Sequence, residues 1–343
     1  MLKAKKYQFS FIGLLGLLLL TWLLNISFGS VAIPFKATLS ILSGNSASVP
    51  SWSYIIWDYR LPKAFTAILV GSGLALSGLV MQTLFRNPLA GPFVLGITSG
   101  ASLGAALLLM GSTLLSGFAT YGFLKDSSII IAASLGSFLV LSIVMLVANK
   151  VRDTMALLVI GLMFGSITSA IVSVLAYFSD AEQLQRFVFW SYGSIGNLSW
   201  NQVLLLASIV IVGILLSVLS IKPLNALLLG ENYAKSLGIS LKNSRMLLII
   251  ITGLLAGSIT AFAGPIAFVG LAVPHLTRQV FNTMEHKILV PAVCISGAVL
   301  MLLCDLIAQL PNSANVLPIN AITSIVGAPV VIWLLVRKQK LFF

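Results

Sequence analysis

Charge is what this chain has least of. Only 8% of its 343 residues are Asp, Glu, Lys or Arg, where a soluble domain carries about 25%. So few charges cannot coat a globular surface or solvate an unfolded chain, which excludes a soluble enzyme and a disordered protein. Cysteine is nearly absent. Cys294 and Cys304 lie in one apolar segment without metal-ligand spacing and read as small apolar residues facing lipid or core.

The missing chemistry is equally informative. No G-x-x-x-x-G-K-S/T run occurs, so the chain cannot cradle ATP phosphates by itself. There is no H-E-x-x-H pair for zinc, the only histidines being His275 and His286, and no G-x-S-x-G elbow. His275 follows Pro274 in an apolar run and reads as a packing histidine rather than a haem or metal ligand. No catalytic residue, metal site or cofactor is therefore expected. The centres of the apolar runs also lack Asp, Glu, Lys and Arg, whereas ion-coupled pumps usually carry such groups as relays. Any transport must draw its energy from outside this polypeptide, although sodium can be held by carbonyls and hydroxyls alone.

What is present is apolar sequence: 59% hydrophobic residues and a mean hydropathy of +1.08. A polytopic helical membrane protein follows, because a helix satisfies its own backbone in hydrocarbon. With about 20 residues per crossing, the runs predict ten transmembrane helices, near 8–28, 64–85, 93–111, 128–149, 154–177, 201–221, 246–262, 266–281, 288–309 and 319–336. Lys3, Lys5 and Lys6 precede an apolar run too long for a signal-peptide core and without an A-x-A-like site, which predicts an uncleaved first span. Starting inside, 15 basic residues fall on the cytoplasmic side. Lys36, Arg60, Lys63, Lys125 and Arg186 are the five outside. That asymmetry places both termini in the cytoplasm.

Two connections are long enough for structure of their own. The external one, 29–63, carries Pro34, Pro50 and Arg60-Leu-Pro-Lys63. The internal one, 222–245, offers two short helices separated by Gly230, with Leu227, Leu228, Tyr233, Ala234 and Leu237 as apolar stripes and Gly238 as the stop. It reads either as a loop lying on headgroups or as a docking element for a cytoplasmic partner. Glycines at 96/100/104, 161/165 and 253/257 repeat at helical spacing, as faces that let backbones approach closely.

The string at 60–100, RLPKAFTAILVGSGLALSGLVMQTLFRNPLAGPFVLGITSG, is more specific than its parts. It resembles the permease subunits of the iron-chelate and cobalamin ABC importers, the FecCD-type family, in its R-L-P-R, small-residue helix and R-N-P-L-A-x-P pattern. AGPIAFVGLAVPHLTR at 263–278 and LGENYAKSLG at 229–238 are similar to further signatures of that family. LPINAITSIVGAPVVIWLL at 317–335 resembles its final helix, with Asn320 where glycine is usual.

The resemblance, covering about residues 55–340, implies a type II ABC importer permease fold. It implies a dimer with a second permease (a homodimer rather than a heterodimer), two cytoplasmic ATPase subunits and an extracytoplasmic substrate-binding protein. The substrate would be an iron chelate (siderophore or haem) or cobalamin. The resemblance also places the cytoplasmic gate at Asn87, Leu89, Asp153 and Thr154. ATPase coupling falls on Leu229, Gly230, Glu231, Ala234, Leu237 and Gly238, and binding-protein docking on Arg60 and Lys63. A third basic docking position is Gln309 here. For Arg60 and Lys63 the residues alone also allow interfacial snorkelling. A sodium-coupled secondary transporter with inverted repeats is the rival function, and a membrane-embedded enzyme a more distant one.

Overall fold

The computed structural model describes residues 2–45, 49–111, 126–151, 154–309 and 316–336, without the side chains of 2–6, 126, 154 and 334–335. Among the described residues every regular element is helical, and the only β contact is an isolated Gln309–Val316 bridge. In chain order the helices are α1 (Leu2–Ser27), α2 (Phe35–Leu42), α3 (Pro50–Tyr54), α4 (Leu61–Leu84), α5 (Ile97–Met110) and α6 (Asp126–Ala148). Next come α7 (Thr154–Tyr177), α8 (Ala181–Ser191), α9 (Trp200–Leu219), α10 (Ile221–Leu228) and α11 (Glu231–Ser236). The last five are α12 (Leu241–Thr252), α13 (Ser258–Ala263), α14 (Val269–Phe281), α15 (His286–Ala308) and α16 (Ile319–Val336). π-helical turns join α3 to α4 at Ile55–Arg60 and α12 to α13 at Gly253–Gly257.

Among the described residues, seven helical stretches are long and apolar enough to cross a membrane. The other three expected spans are shorter helices: α5 of 14 residues, α14 of 13 and α16 of 18. Two features depart from the sequence reading. The second span starts at Pro50, not near 64, and runs unbroken to Leu84 as 35 residues. Pro62 should break such a helix, since its ring crowds the carbonyl four residues earlier. The π turn at Ile55–Arg60 immediately precedes it and widens the helix there, so the chain continues. The second departure is α8, whose polar residues hid it from a search for apolar runs. Its Phe187 and Trp190 pack on a cluster of Ala106, Leu109, Met110 and Leu175.

The chain divides into two compact units. The first comprises Met1–Leu76, Ser194–Ser208 and Ala267–Gln339. Within it α1 packs along α15, and α15 also meets α14 and α16. The α4–α15 crossing is glycine on glycine: a Cβ on either Gly71 or Gly297 would overlap the other residue's carbonyl oxygen. Ser72 Oγ donates to the Cys294 carbonyl at 2.9 Å beside that crossing. Cys294 is half-buried, Cys304 is buried, and both thiols are free.

The second unit comprises Ser77–Gly193 and Ile209–Ile266. Its centre is the α5–α6 pair, where Gly100 and Gly136 abut and a Cβ on Gly104 would meet the Ala132 carbonyl. Gly161 of α7 lies against Val94 and Leu95 in the same close-packed manner. In both units, buried hydroxyls bond back to the carbonyl four residues earlier, as Thr66 does to Pro62 and Thr252 to Leu248. A hydroxyl can thus sit in an apolar helix with its donor satisfied.

These crossings are testable. Gly104→Val and Gly297→Leu should each cost about 1–3 kcal/mol or more by overpacking and sharply reduce the monodisperse fraction in detergent. Gly13→Ala, at a site with nothing within 4 Å, should leave the size-exclusion profile unchanged.

Candidate functional site

Two polar constellations stand out, one in each unit. In the second unit, α4 ends at Leu84 and the chain turns sharply. Arg86 adopts a left-handed conformation with φ of 47°. Asn87 then pins the turn: its Oδ1 accepts from the Leu89 backbone N–H at 2.9 Å, and its carbonyl accepts from Ala90 N–H at 3.1 Å. Pro88 cannot donate, so this local bond replaces helical pairing. Leu89 is left 43% exposed. Of the other expected gate residues, Asp153 lies outside the described residues. Thr154 starts α7, with its side chain outside the description.

The 222–245 segment folds as two short helices, as its sequence predicts. α10 buries Leu224, Ala226 and Leu227. Gly230, at φ of 108°, starts α11 in a conformation closed to ordinary L residues. Ala234 is fully buried, and Gly238, at φ of 78°, ends the helix with its N–H on the Lys235 carbonyl. The expected apolar stripe is split between two faces. Leu227 and Ala234 point inward, whereas Leu229, Tyr233 and Leu237 are 65%, 49% and 57% exposed. Tyr233 lies within α11, and Leu229 and Leu237 flank its two ends. Glu231 ion-pairs with Arg245 of α12, tying α11 down.

Sequence spacing did not reveal that this segment meets the turn after α4. Phe85, Arg86, Met155 and residues 229–233 line one open cleft of about 690 Å³. A Cβ on Gly230 would sit 3.7 Å from an Arg86 guanidinium nitrogen. The cleft thus carries an exposed cation and a mixed lining, with Glu231 and Asn232 beside Leu229 and Tyr233.

The other constellation, in the first unit, places Arg60, an expected docking residue, inside the fold. Its side chain is 7% exposed and its guanidinium donates to the carbonyls of Ile26 at 2.8 Å, Ser27 at 2.6 Å and Val31. The last carbonyls of a helix lack intrahelical partners, and Arg60 supplies them at the end of α1. Extending the second helix to Pro50 is what moved this arginine from an external loop into the fold. Lys63 Nζ pairs with Asp305 Oδ1 at 2.9 Å, with side-chain exposures of 17% and 2%. Asp305 Oδ2 also accepts from Asn25 Nδ2 at 2.7 Å and Gln309 Nε2 at 2.5 Å. Gln309, where the resemblance expects a third basic residue, is a neutral donor to this carboxylate.

Among the described residues, no three His, Cys, Asp or Glu side chains come together as a metal site. His275 is half-buried on α14. Asn320, the departure in the last helix, accepts the Ala267 backbone N–H at 3.0 Å through Oδ1.

A profile of the FecCD transport family matches residues 17–337. The vitamin B12 import system permease protein BtuC of Klebsiella pneumoniae subsp. pneumoniae is 38% identical over 328 residues, covering 95% of this chain and 93% of its own. That of Salmonella paratyphi A is 36% identical over 326 residues, covering 93% and 96%. Among solved structures, an inward-facing ABC transporter assigned to the metal-chelate type superposes with a TM-score of 0.83 at 32% identity, covering 97% of this chain and 99% of that one. PsaBC of Streptococcus pneumoniae, at 17% identity and a TM-score of 0.53, shares the fold.

Because Arg60 serves three carbonyls, Arg60→Ala should destabilise the folded chain by at least roughly 2 kcal/mol. Arg60→Lys should recover only part, since an ammonium cannot fork between carbonyls as a guanidinium does. Thermal unfolding in detergent measures both, and wild-type melting of the alanine variant would refute the clamp.

Proposed function

The chain belongs to the FecCD transport family, and on that footing we propose that it is the multi-pass permease subunit of an ATP-driven importer in the inner or plasma membrane. It makes and breaks no covalent bond; ATP is hydrolysed on separate subunits. The observation that carries this reading is the cleft in the second unit. A chain without a phosphate loop presents exposed Leu229, Tyr233 and Leu237 in and around α11, which the Glu231–Arg245 pair holds, and Leu229 and Tyr233 line a cleft with the turn that follows α4. Apolar side chains ringed by charge are what a protein partner buries.

In the proposed orientation both termini and this cleft face the cytoplasm. Leu229, Gly230, Glu231, Ala234, Leu237 and Gly238 build the surface for two ATPase subunits. Asn87 and Leu89, with Asp153 and Thr154, form the inner gate. Asn87 fixes the turn and Leu89 supplies an apolar seal against a second permease copy in a homodimer. Force on α11 reaches the gate through Arg86, which lines the same cleft as Gly230. The extracytoplasmic side receives a substrate-binding protein.

The substrate we propose is cobalamin, supported by the vitamin B12 permeases matched over nearly their full length. An iron chelate (siderophore or haem) is the second reading, favoured by the metal-chelate-type neighbour. A bulky chelate suits a permease whose helices present glycine, serine and threonine rather than charge.

Proteoliposomes containing the permease, its ATPase and its binding protein should accumulate cyanocobalamin only with ATP. Accumulation of a ferric siderophore or haem but not cyanocobalamin would select the second reading. Uptake driven by a sodium gradient without ATP would overturn the importer reading. Separately, Tyr233→Glu with Leu237→Glu changes only exposed side chains and should leave folding intact. Losing two central contacts should weaken ATPase assembly by more than about 2 kcal/mol, roughly thirtyfold in Kd, measured by co-purification at graded ATPase concentration.

A further inference from the structure

Local sequence and folded structure disagree at the break between α13 and α14. Gly264-Pro265 reads as a helix start, with glycine at the N-cap and proline at the first helical position, where an N–H is not needed. The helix nevertheless begins four residues later, at Val269. Phe268, just before it, is left-handed with φ of 65°. For a bulky side chain that backbone is strained, and such strain persists only where surrounding contacts impose it. Resting on the importer reading, we propose that residues 265–268 are a coil-to-helix switch. They wind onto α14 in one state of the transport cycle and are held unwound in the other by Asn320 of α16.

Two contacts impose the unwound form, and both come from α16. Asn320 Oδ1 accepts the Ala267 N–H at 3.0 Å. About two helical turns further along α16, Gly327 leaves room for the root of the Phe268 side chain, since a Cβ there would overlap Phe268 Cβ. The backbone itself is poised to wind. The Phe268 carbonyl already accepts the Ala272 N–H at 2.8 Å, as it would inside a helix. The Val269 N–H closes only a tight turn on the Ala267 carbonyl, at 2.8 Å.

Rotating Phe268 to right-handed values therefore extends α14 without dismantling it. The N–H groups of Val269, Gly270 and Leu271 then face the carbonyls of Pro265, Ile266 and Ala267, which closes a helical turn. That turn and the relief of Phe268 offset the loss of the Asn320 bond and of the packing at Gly327. Two packings of comparable stability are what a switch requires. Winding draws Ala267 and Phe268 off α16, so the switch sets whether the last helix is tied to α14 at these two points.

The test reads the backbone directly. The chain has three Ile–Ala pairs, at 131–132, 266–267 and 307–308, and only Ala267 lies outside a helix. Permease in proteoliposomes, labelled with carbonyl-13C isoleucine and 13C,15N-alanine, reports the break by solid-state NMR as the one coil-shifted alanine. Asn320→Ala removes the acceptor and should raise the ratio of wound to unwound chains about fivefold, as loss of one hydrogen bond does. Gly327→Ala should move the signal the same way by evicting Phe268. Asn320→Asp keeps an acceptor in the first turn of α16, where a carboxylate is favourable, and should retain the coil signal. Phe268→Gly relieves the strain at positive φ and should restore the coil signal in the Asn320→Ala background. With the ATPase assembled, wild-type Ala267 should be coil in one of the nucleotide-free and ATP-trapped states and helical in the other.

Ala267 that stays coil in both releasing variants and both nucleotide states overturns the switch. Winding that follows nucleotide but ignores Asn320→Ala overturns the latch. Winding in the variants alone, with wild type unmoved through the cycle, overturns its place in transport. If Gly327→Ala does not fold, Asn320→Ala decides. An ATPase that never binds wild-type permease overturns the importer reading instead, and the variants still decide whether residues 265–268 switch.

Discussion

In hydrocarbon a backbone amide or carbonyl has no water to turn to, and nearly every feature of this chain follows from that constraint. It makes the described fold helical throughout. It explains why buried threonines return their hydroxyls to their own helix, as Thr252 does to Leu248. It also explains the treatment of interruptions. Where Pro62 removes a donor, a π turn absorbs the misfit and the helix continues. Where α1 stops, Arg60 takes up the exposed carbonyls.

With no water to expel from between them, helices in lipid gain from close packing rather than from hydrophobic burial. Glycine lets backbones meet directly, and both units use it at a crossing, Gly71 on Gly297 in one and Gly100 on Gly136 in the other. Side chains at these places would force the helices apart. The large residues are turned the other way, with Leu135, Phe138 and Leu146 of α6 among the most exposed, as a lipid-facing surface requires.

Charge, being scarce, is concentrated where it does work that apolar residues cannot. In the first unit, Lys63, Asp305, Asn25 and Gln309 share one carboxylate and tie the ends of α1, α4 and α15. In the second, Glu231 and Arg245 hold α11 while Arg86 projects into the cleft beside it. A multi-pass membrane protein of the FecCD transport family thus gives the charges it buries partners within the fold, as Arg60 and Asp305 show.

The sequence by itself determined the class, since its scarcity of charge excluded every water-exposed architecture. It also marked most of the long apolar helices, because a run of apolar residues is a local property. Motif resemblance carried the family, and glycine spacing marked the faces of close approach. Even the two helices at 222–245 were legible, since Gly230 and Gly238 punctuate them locally. Other features needed the tertiary structure. Arg60 read as an exposed external charge because nothing near it in sequence reveals the carbonyls of residues 26, 27 and 31. Lys63 read as available because its partner Asp305 lies more than two hundred residues away. Asn320 looked like a mere departure until its amide oxygen met the Ala267 N–H. α8 escaped notice because an amphipathic helix is too polar to register as a span. The direction a charge faces depends on what packs around it, and only the folded chain brings those neighbours together.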